Sequence, residues 1–211
     1  MRLLPLFPLN LVVFPGEKLN LHIFEPRYRQ LVEDCLTEGI TFGIPPYLDD
    51  QVQPIGTEMR LVKVERAYPS GESDIRTQAV GRFRIAELLR EAPGKLYAAA
   101  QVEDFPADAE PADAALRQRI SAQIEHLYGA LGLQKLFIEL APDYATFDIA
   151  HHLGLSTEQE YALLSLATEP ERQRFILVHL EHILPVVLET ERLKERVRQN
   201  GHFKHLTPPN F

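Results

Sequence analysis

The chain has 211 residues, 45% hydrophobic and 25% charged, which suffices for one large domain or two small ones around a buried core. Thirty acidic residues against 22 basic ones leave a formal net charge of -8, which repels long nucleic acid on average and sets DNA and RNA aside as general partners. The single cysteine, Cys35, excludes an internal disulfide and a thiolate metal cluster. Within R-Q-L-V-E-D-C-L it reads as the buried thiol of an amphipathic helix.

The opening M-R-L-L-P-L-F-P-L-N-L-V-V-F-P-G has the apolar character of an export signal. Pro5, Pro8 and Pro15 interrupt the run, however, and no small-residue cleavage pattern follows. No stretch of 18 apolar residues exists, so a membrane span is not expected, and the expected location is cytoplasmic. Leu11–Phe14 reads as a strand, turned by Pro15-Gly16. Leu19, Leu21 and Ile23 then alternate with Asn20, His22 and Phe24, the period of a half-buried strand. Tyr28–Leu36 fits a short helix with Tyr28, Leu31, Val32 and Cys35 on one stripe, stopped by Gly39. Thr41–Ile44 reads as a buried strand closed by Pro45-Pro46. Gly56–Ala67 alternates again up to a Pro69-Ser70-Gly71 turn. Ile75, Thr77 and Ala79 share a face, Gly81 interrupts, Phe83 and Ile85 resume, and Leu96–Val102 supplies a last strand. Six or seven short strands and one helix are expected to close into a small barrel over residues 1–105.

Past Pro106 the character changes. F-P-A-D-A-E-P-A-D reads as a linker, and the period becomes 3.6 in Leu116, Ile120, Ile124, Leu127 and Leu131, ended by Gly132. Ser156 with Gln159 and Thr168 with Glu171 have capping-box spacing, and Pro170 stands where a first-turn proline is tolerated. The helix after Thr168 carries Phe175, Ile176, Leu180, Ile183 and Leu184. Pro185 then predicts a kink or a break before the pattern continues to Gln199. Residues 112–205 are thus expected to form a bundle of four or five helices, and the fold class is α+β.

Chemistry-bearing patterns are sparse. His151 and His152 are adjacent, so on a helix they point apart. His179 and His182 share a face at a spacing of three, but no third ligand accompanies them. Nucleophile-elbow, P-loop and dinucleotide motifs are absent, and a tight turn or bulge accounts for Gly81. Glu25, Arg27 and Arg29 surround Tyr28, and a structural ion pair of Glu25 with Arg82 or Arg84 is the expectation. No catalytic residue, cofactor or metal ligand is assigned.

The segments L-L-P-L-F-P-L-N-L-V-V-F-P-G and L-N-L-H-I-F-E-P-R-Y-R-Q-L-V-E-D are followed by F-G-I at 42–44, I-G-T at 55–57 and V-G-R-F-R-I at 80–85. In that order they resemble the N-terminal domain of the ATP-dependent Lon protease family across nearly the whole chain. The resemblance implies a PUA-like pseudo-barrel followed by a helical region. Phe14, Pro15 and Gly16 match the family's turn, Glu25, Arg27 and Tyr28 its F-E-x-R-Y segment, and Gly81, Arg82 and Phe83 its glycine-arginine strand. These nine residues are expected to serve mainly the fold. The chain ends at Phe211 without Walker motifs, so ATPase and protease activity are not carried over. Non-catalytic binding of unfolded segments or of a specific protein partner is the implied function. The alternatives are RNA binding on the PUA-like barrel, with only short basic runs such as R-F-R at 82–84 and K-E-R-V-R at 194–198, an adaptor of a full-length ATP-dependent protease, and an enzyme with a hidden polar pocket. The apolar stripe around Pro185 is compatible with either a kinked bundle or a dimer.

Overall fold

The structure, a computed structural model, describes residues 1–106, 110–133 and 143–201. The chain divides into two compact units, Met1–Ala109 with Phe147–Ala167, and Glu110–Thr146 with Thr168–Phe211. Periodicity separates strands from helices near residue 105. Contacts, in contrast, group the helical segment Phe147–Ala167 with the strands. Residues 202–205, the end of the expected bundle, lie outside the described residues.

The first unit contains β1 (Arg2–Pro5), β2 (Lys18–Ile23), α1 (Pro26–Glu38), β3 (Phe42–Ile44), β4 (Tyr47–Leu48), β5 (Gln51–Val52), β6 (Ile55–Ala67), β7 (Ser73–Leu89) and β8 (Ala99–Asp104). Its main sheet runs β1-β8-β7-β6-β3, with β2 paired to the N-terminal half of β7, while β4 and β5 make a small hairpin. The two ends of the main sheet meet. Leu6 bridges Gly43, and the Phe7 N–H donates to the Gly43 carbonyl at 2.8 Å. The result is a pseudo-barrel joined by a short seam rather than a full ladder.

Two apolar clusters fill it. One joins Phe7, Val13 and Ile23 to Tyr28, Leu31, Val32 and Cys35 of α1, and to Phe42, Met59 and Ile75 of the strands. The other holds Phe83 among Leu4, Leu6, Ala100 and Val102. The buried stripe of α1 is the one its spacing predicts, but the helix starts earlier, at Pro26, because a first-turn proline has its φ already set and needs no N–H partner. Gly39 ends it at φ 68°. The expected strand at Leu96 begins only at Ala99. A turn closed by Ala92 N–H to the Tyr97 carbonyl at 2.8 Å takes its place.

Leu11–Phe14 is not a strand, contrary to its apolar, β-branched composition. Val12, Val13 and Phe14 are buried without ladder pairing. The chain instead makes a type II turn over Phe14–Glu17, with Glu17 N–H donating to the Phe14 carbonyl at 3.2 Å and Gly16 at φ 90°. Gly16 N–H then donates to the Ala79 carbonyl at 3.3 Å, and Ala79 N–H to the Glu17 carbonyl at 2.8 Å, the pattern of a G1 bulge that feeds β2 into the sheet. A Cβ at Gly16 would meet nothing within 4 Å, so Gly16→Ala tests the backbone conformation alone. It is expected to lower the unfolding free energy by about 1–2 kcal/mol in urea titrations. An unchanged midpoint would show that the left-handed turn carries no stability. Gly81 lies at a second bulge. The register steps from Glu58↔Gly81 to Met59↔Ala79 and leaves Val80 without a partner.

The helices are α2 (Ala114–Ala130), α3 (Thr146–Ile149) with a 3-10 turn at Ala150–His152, α4 (Thr157–Ser165) and α5 (Glu169–Gly201). Both capping boxes form. Ser156 and Gln159 exchange side-chain and backbone hydrogen bonds, as do Thr168 and Glu171. Asp113 caps α2 by accepting from the N–H groups of Ala115 and Leu116. In the second unit α2 presents buried Ile120, Ile124 and Leu127, and α5 presents Ile176, Leu177, Leu180 and Leu184. α5 runs unbroken through the exposed Pro185. A proline in a helix removes one backbone hydrogen bond, and the buried row just before it holds the helix together.

Candidate functional site

The nine motif positions fall into two places within the first unit. Phe14, fully buried, stacks on Phe147 at 5.0 Å and lies 4.7 Å from the ring of His151. His151 bridges two carboxylates, Nε2 to Glu17 Oε1 at 2.8 Å and Nδ1 to Glu160 Oε1 at 2.6 Å. Glu17 also accepts the Phe14 N–H at 2.7 Å through its other oxygen. The F-P-G turn is therefore tied to α4 through one imidazole. The hydrogen bond to Glu17, joined by that to Glu160, outweighs burial and holds the His151 pKa up at about 9, against an ordinary 6.5. The adjacent His152 gives no local signal of this role, and although Glu160 lies nine residues from His151, Glu17 is remote in sequence.

The sign of the resulting pH dependence follows from the raised pKa. The contribution of His151 is complete below pH 6.5, declines above it, and is lost as pH rises through about 9. Thermal unfolding scans should show wild-type stability falling between pH 6.5 and 9.5 more steeply than that of His151→Gln. Parallel curves would remove the bridge from the energetics.

Arg82 and Phe83 point to opposite sides of β7. Phe83 is fully buried, its ring resting on the backbones of two glycines. A Cβ at Gly43 would stand 2.5 Å from that ring, and one at Gly56 would stand 2.6 Å away. The F-G-I, I-G-T and G-R-F segments thus form one packing unit. Arg82 donates to the carbonyls of Leu164 at 2.7 Å and Leu166 at 2.6 Å, at the C-terminal end of α4. Its guanidinium lies 4.0 Å from the centroid of Phe105 and 5.4 Å from that of Phe147. Phe147 thereby touches both the F-P-G turn and the glycine-arginine strand.

The third motif sits apart from these, at the start of α1. The expected pairing of Glu25 with Arg82 or Arg84 does not form. Glu25 pairs at 2.8 Å with Arg27, two residues away and within reach without crossing the barrel. The Arg27 guanidinium lies over Tyr28 at 4.5 Å, and the Tyr28 ring stacks on Phe7 at 3.7 Å.

Titratable groups elsewhere are engaged in packing. Burial pushes the Cys35 thiol up to about 12, away from thiolate chemistry. Burial raises the Asp34 pKa, but hydrogen bonds from Lys95 and Tyr97 outweigh it and leave the carboxyl below its usual range. His179 is buried on α5 and His182 is exposed. Among the described residues no group of three or more His, Cys, Asp or Glu side chains is placed to hold a metal ion. Nor, among them, is any helix long and apolar enough to cross a membrane.

One stretch of surface differs from the rest of the first unit. Phe24, directly after β2, is 59% exposed. Its ring lies 6.2 Å from His22, which in turn lies 5.9 Å from Tyr68. Asp74 orders this row, meeting His22 Nδ1 at 2.7 Å and accepting from the Tyr68 hydroxyl at 2.6 Å. His22 and Phe24 continue the solvent face of β2, and Tyr68 backs them half-buried. In the sequence Phe24 is only one position of an alternation, and its exposure is a property of the fold that composition does not supply.

Comparison with known proteins places these features. The profile of the family described as the ATP-dependent protease La (LON) substrate-binding domain matches residues 3–182. A Lon protease 2 of Sorangium cellulosum is 31% identical over 112 residues, covering 48% of this chain and 13% of that protein. A Lon protease 2 of Thermus thermophilus is 24% identical over 213 aligned positions, covering 89% of this chain and 25% of that protein. The chain therefore spans a quarter or less of the curated relatives it matches. The crystal structure of a Lon N-terminal domain protein from Xanthomonas campestris superposes with a TM-score of 0.67 at 26% identity, covering 84% of this chain and 98% of that one. The N-terminal domain of a Mycobacterium avium complex Lon protease shares the fold at 17% identity, with a TM-score of 0.65 over 85% of this chain and 98% of that one. The pseudo-barrel followed by helices is the fold of these domains.

Proposed function

This chain belongs to the family of ATP-dependent protease La (LON) substrate-binding domains and corresponds to that module rather than to a protease domain, and on this premise we propose that it holds unfolded polypeptide in the cytoplasm. The observation that carries the reading is the exposed pair Phe24 and His22, backed by the half-buried Tyr68. Exposed aromatic side chains that pack no core of their own offer area to an apolar ligand. The nine motif residues, in this reading, build the scaffold and leave the binding to the side chains around them. The bound chain is either a substrate passed to an ATP-dependent protease or a specific partner that recruits one.

The test is a fluorescence anisotropy titration with a reduced, carboxymethylated protein that cannot refold, and with the same protein in its native state. Saturable binding at least about tenfold tighter for the unfolded form is expected, a difference of about 1.4 kcal/mol. Equal binding of both forms, or none of either, would remove the reading.

A further inference from the structure

We propose that the outer edge of β2 is the docking track, where an extended segment adds as a further strand, and that it takes a segment with alternating apolar residues and an acidic residue facing Lys18. This rests on the reading that the protein binds unfolded polypeptide, and names how and where.

Several stretches of the sheet's edge lack a neighbouring strand among the described residues, and β2 is the one that combines full strand length with unbroken register. β1 and β3 close on each other through the Leu6–Gly43 bridge. β6 beyond Met59 has no further strand on its outer side among the described residues, but its register shifts twice, between Leu61 and Lys63 and between Val64 and Arg66. Bulges twist an edge away from a flat partner. β2 carries a single lysine, Lys18, and its one bulge lies at its entry, at Gly16 and Glu17. It pairs with β7 in unbroken register from Lys18↔Gln78 to Ile23↔Ser73, contains no proline, and has no second strand beside it among the described residues.

The G1 bulge sets which backbone groups are available. Ala79 N–H donates to the Glu17 carbonyl, so alternate residues Leu19, Leu21 and Ile23 turn their N–H and C=O toward β7. Lys18, Asn20 and His22 then turn theirs outward. Six strand residues span about 20 Å. That is an extended template of three donors and three acceptors without partners in the sheet, the arrangement that strand addition uses.

The side chains specify the occupant. Leu19 and Leu21 are half-buried against the core, so residues of the added strand on that face gain by being apolar. On the solvent face Lys18 and Arg60 both register with Gln78, and no ion pair engages either of them among the described residues. Further along, Glu65 already neutralises Lys63 and Arg76 at 2.8 and 2.7 Å. The unneutralised cations therefore lie at the Lys18 end and the exposed Phe24 ring at the other. An acidic segment is repelled by the net charge of -8 over the protein as a whole and meets its counter-charge on this face.

The test uses the full chain and a labelled, capped ten-residue peptide alternating valine and glutamate, read by anisotropy. The same peptide is made with lysine in place of glutamate, and with backbone amides N-methylated at the valines only or at the glutamates only. The glutamate peptide should bind at least tenfold tighter than the lysine one. One methylation phase should abolish binding and the other should leave it, because an edge strand uses every second N–H. Asn20→Pro, which removes an outward N–H and leaves the β2–β7 ladder its bonds, should lower affinity at least tenfold with the circular dichroism unchanged. If Asn20→Pro does not fold, the methylated peptides on the wild-type protein decide alone. Equal affinity for both methylation phases overturns strand addition, and equal or reversed affinity for the lysine peptide overturns the acidic occupant. If the unfolded protein binds but the peptide does not, the edge falls and the polypeptide-binding reading stands. If neither binds, both fall.

Discussion

Phe83→Ala should lower the unfolding free energy by about 3–5 kcal/mol, the range for deleting a buried aromatic ring. That is a large share of the roughly 5–15 kcal/mol available to a folded domain. The ring is fully buried among Leu4, Leu6, Ala100 and Val102 and lies on Gly43 and Gly56. Its loss opens a void bounded by backbone, which relaxes less than side chains do. The complementary change is Gly56→Ala. Its Cβ would stand 2.6 Å from the Phe83 ring, 2.8 Å from the Pro45 Cα and 2.9 Å from the Ile44 carbonyl oxygen. Two of those three neighbours are backbone and cannot swing aside, so overpacking by about 1–3 kcal/mol is expected. The double variant Phe83→Leu/Gly56→Ala should recover part of that loss, because the smaller side chain vacates the space. Denaturant unfolding of the wild type, Phe83→Leu, Gly56→Ala and the double variant forms a cycle. Additive losses would show that ring and glycine do not share one packing unit.

Arg82→Ala should release α4 from the strands. Two carbonyls at the end of that helix, those of Leu164 and Leu166, lose a charged donor, at about 1.5–3 kcal/mol for a hydrogen bond to a charged group. Contact with the Phe105 and Phe147 rings is lost as well, adding about 0.5–2 kcal/mol. Because the Arg82 contacts lie at one end of a short segment, the loss should appear there first. Hydrogen exchange over residues 157–167 is expected to accelerate at least tenfold in Arg82→Ala while β7 and β8 keep their protection. Arg82→Lys should recover only part of it: Nη1 alone donates to both carbonyls, which an ammonium can replace, but the reach of Nη2 to the Ala167 carbonyl at 3.5 Å and the planar contact with Phe105 and Phe147 are lost. Unchanged exchange in α4 would assign its position to the Phe14–Phe147 stack and the His151 bridge alone.

These effects bear on function through the scaffold. The turn over Phe14–Glu17 launches β2, and its bulge decides which backbone groups of β2 face outward. A variant that loosens the turn should therefore weaken polypeptide binding without touching the ligand. The motifs that carry the family resemblance are spread over the first eighty-five residues. The structure explains why they travel together: Gly43, Gly56 and Phe83 interlock, and Phe14 and Arg82 meet on Phe147.

Much of the architecture was determined locally, and so was readable from sequence alone. The period-two alternation of Leu19, Leu21 and Ile23, the α1 stripe from Tyr28 to Cys35, the Pro-Gly turns and both capping boxes each depend on residues a few positions apart. Backbone geometry enforces such patterns without help from the rest of the chain. Leu11–Phe14 misled because its composition suits a strand, whereas pairing is a property of a partner, and the turn at Pro15-Gly16 leaves it none. Only the tertiary structure decided that the helical segment Phe147–Ala167 belongs with the strands, that His151 sits between Glu17 and Glu160, and that β2 keeps one edge without a strand among the described residues. Each joins residues far apart in the chain, where the loop-closure entropy is offset by burial and charge pairing, and periodicity over a dozen residues carries no record of such partners.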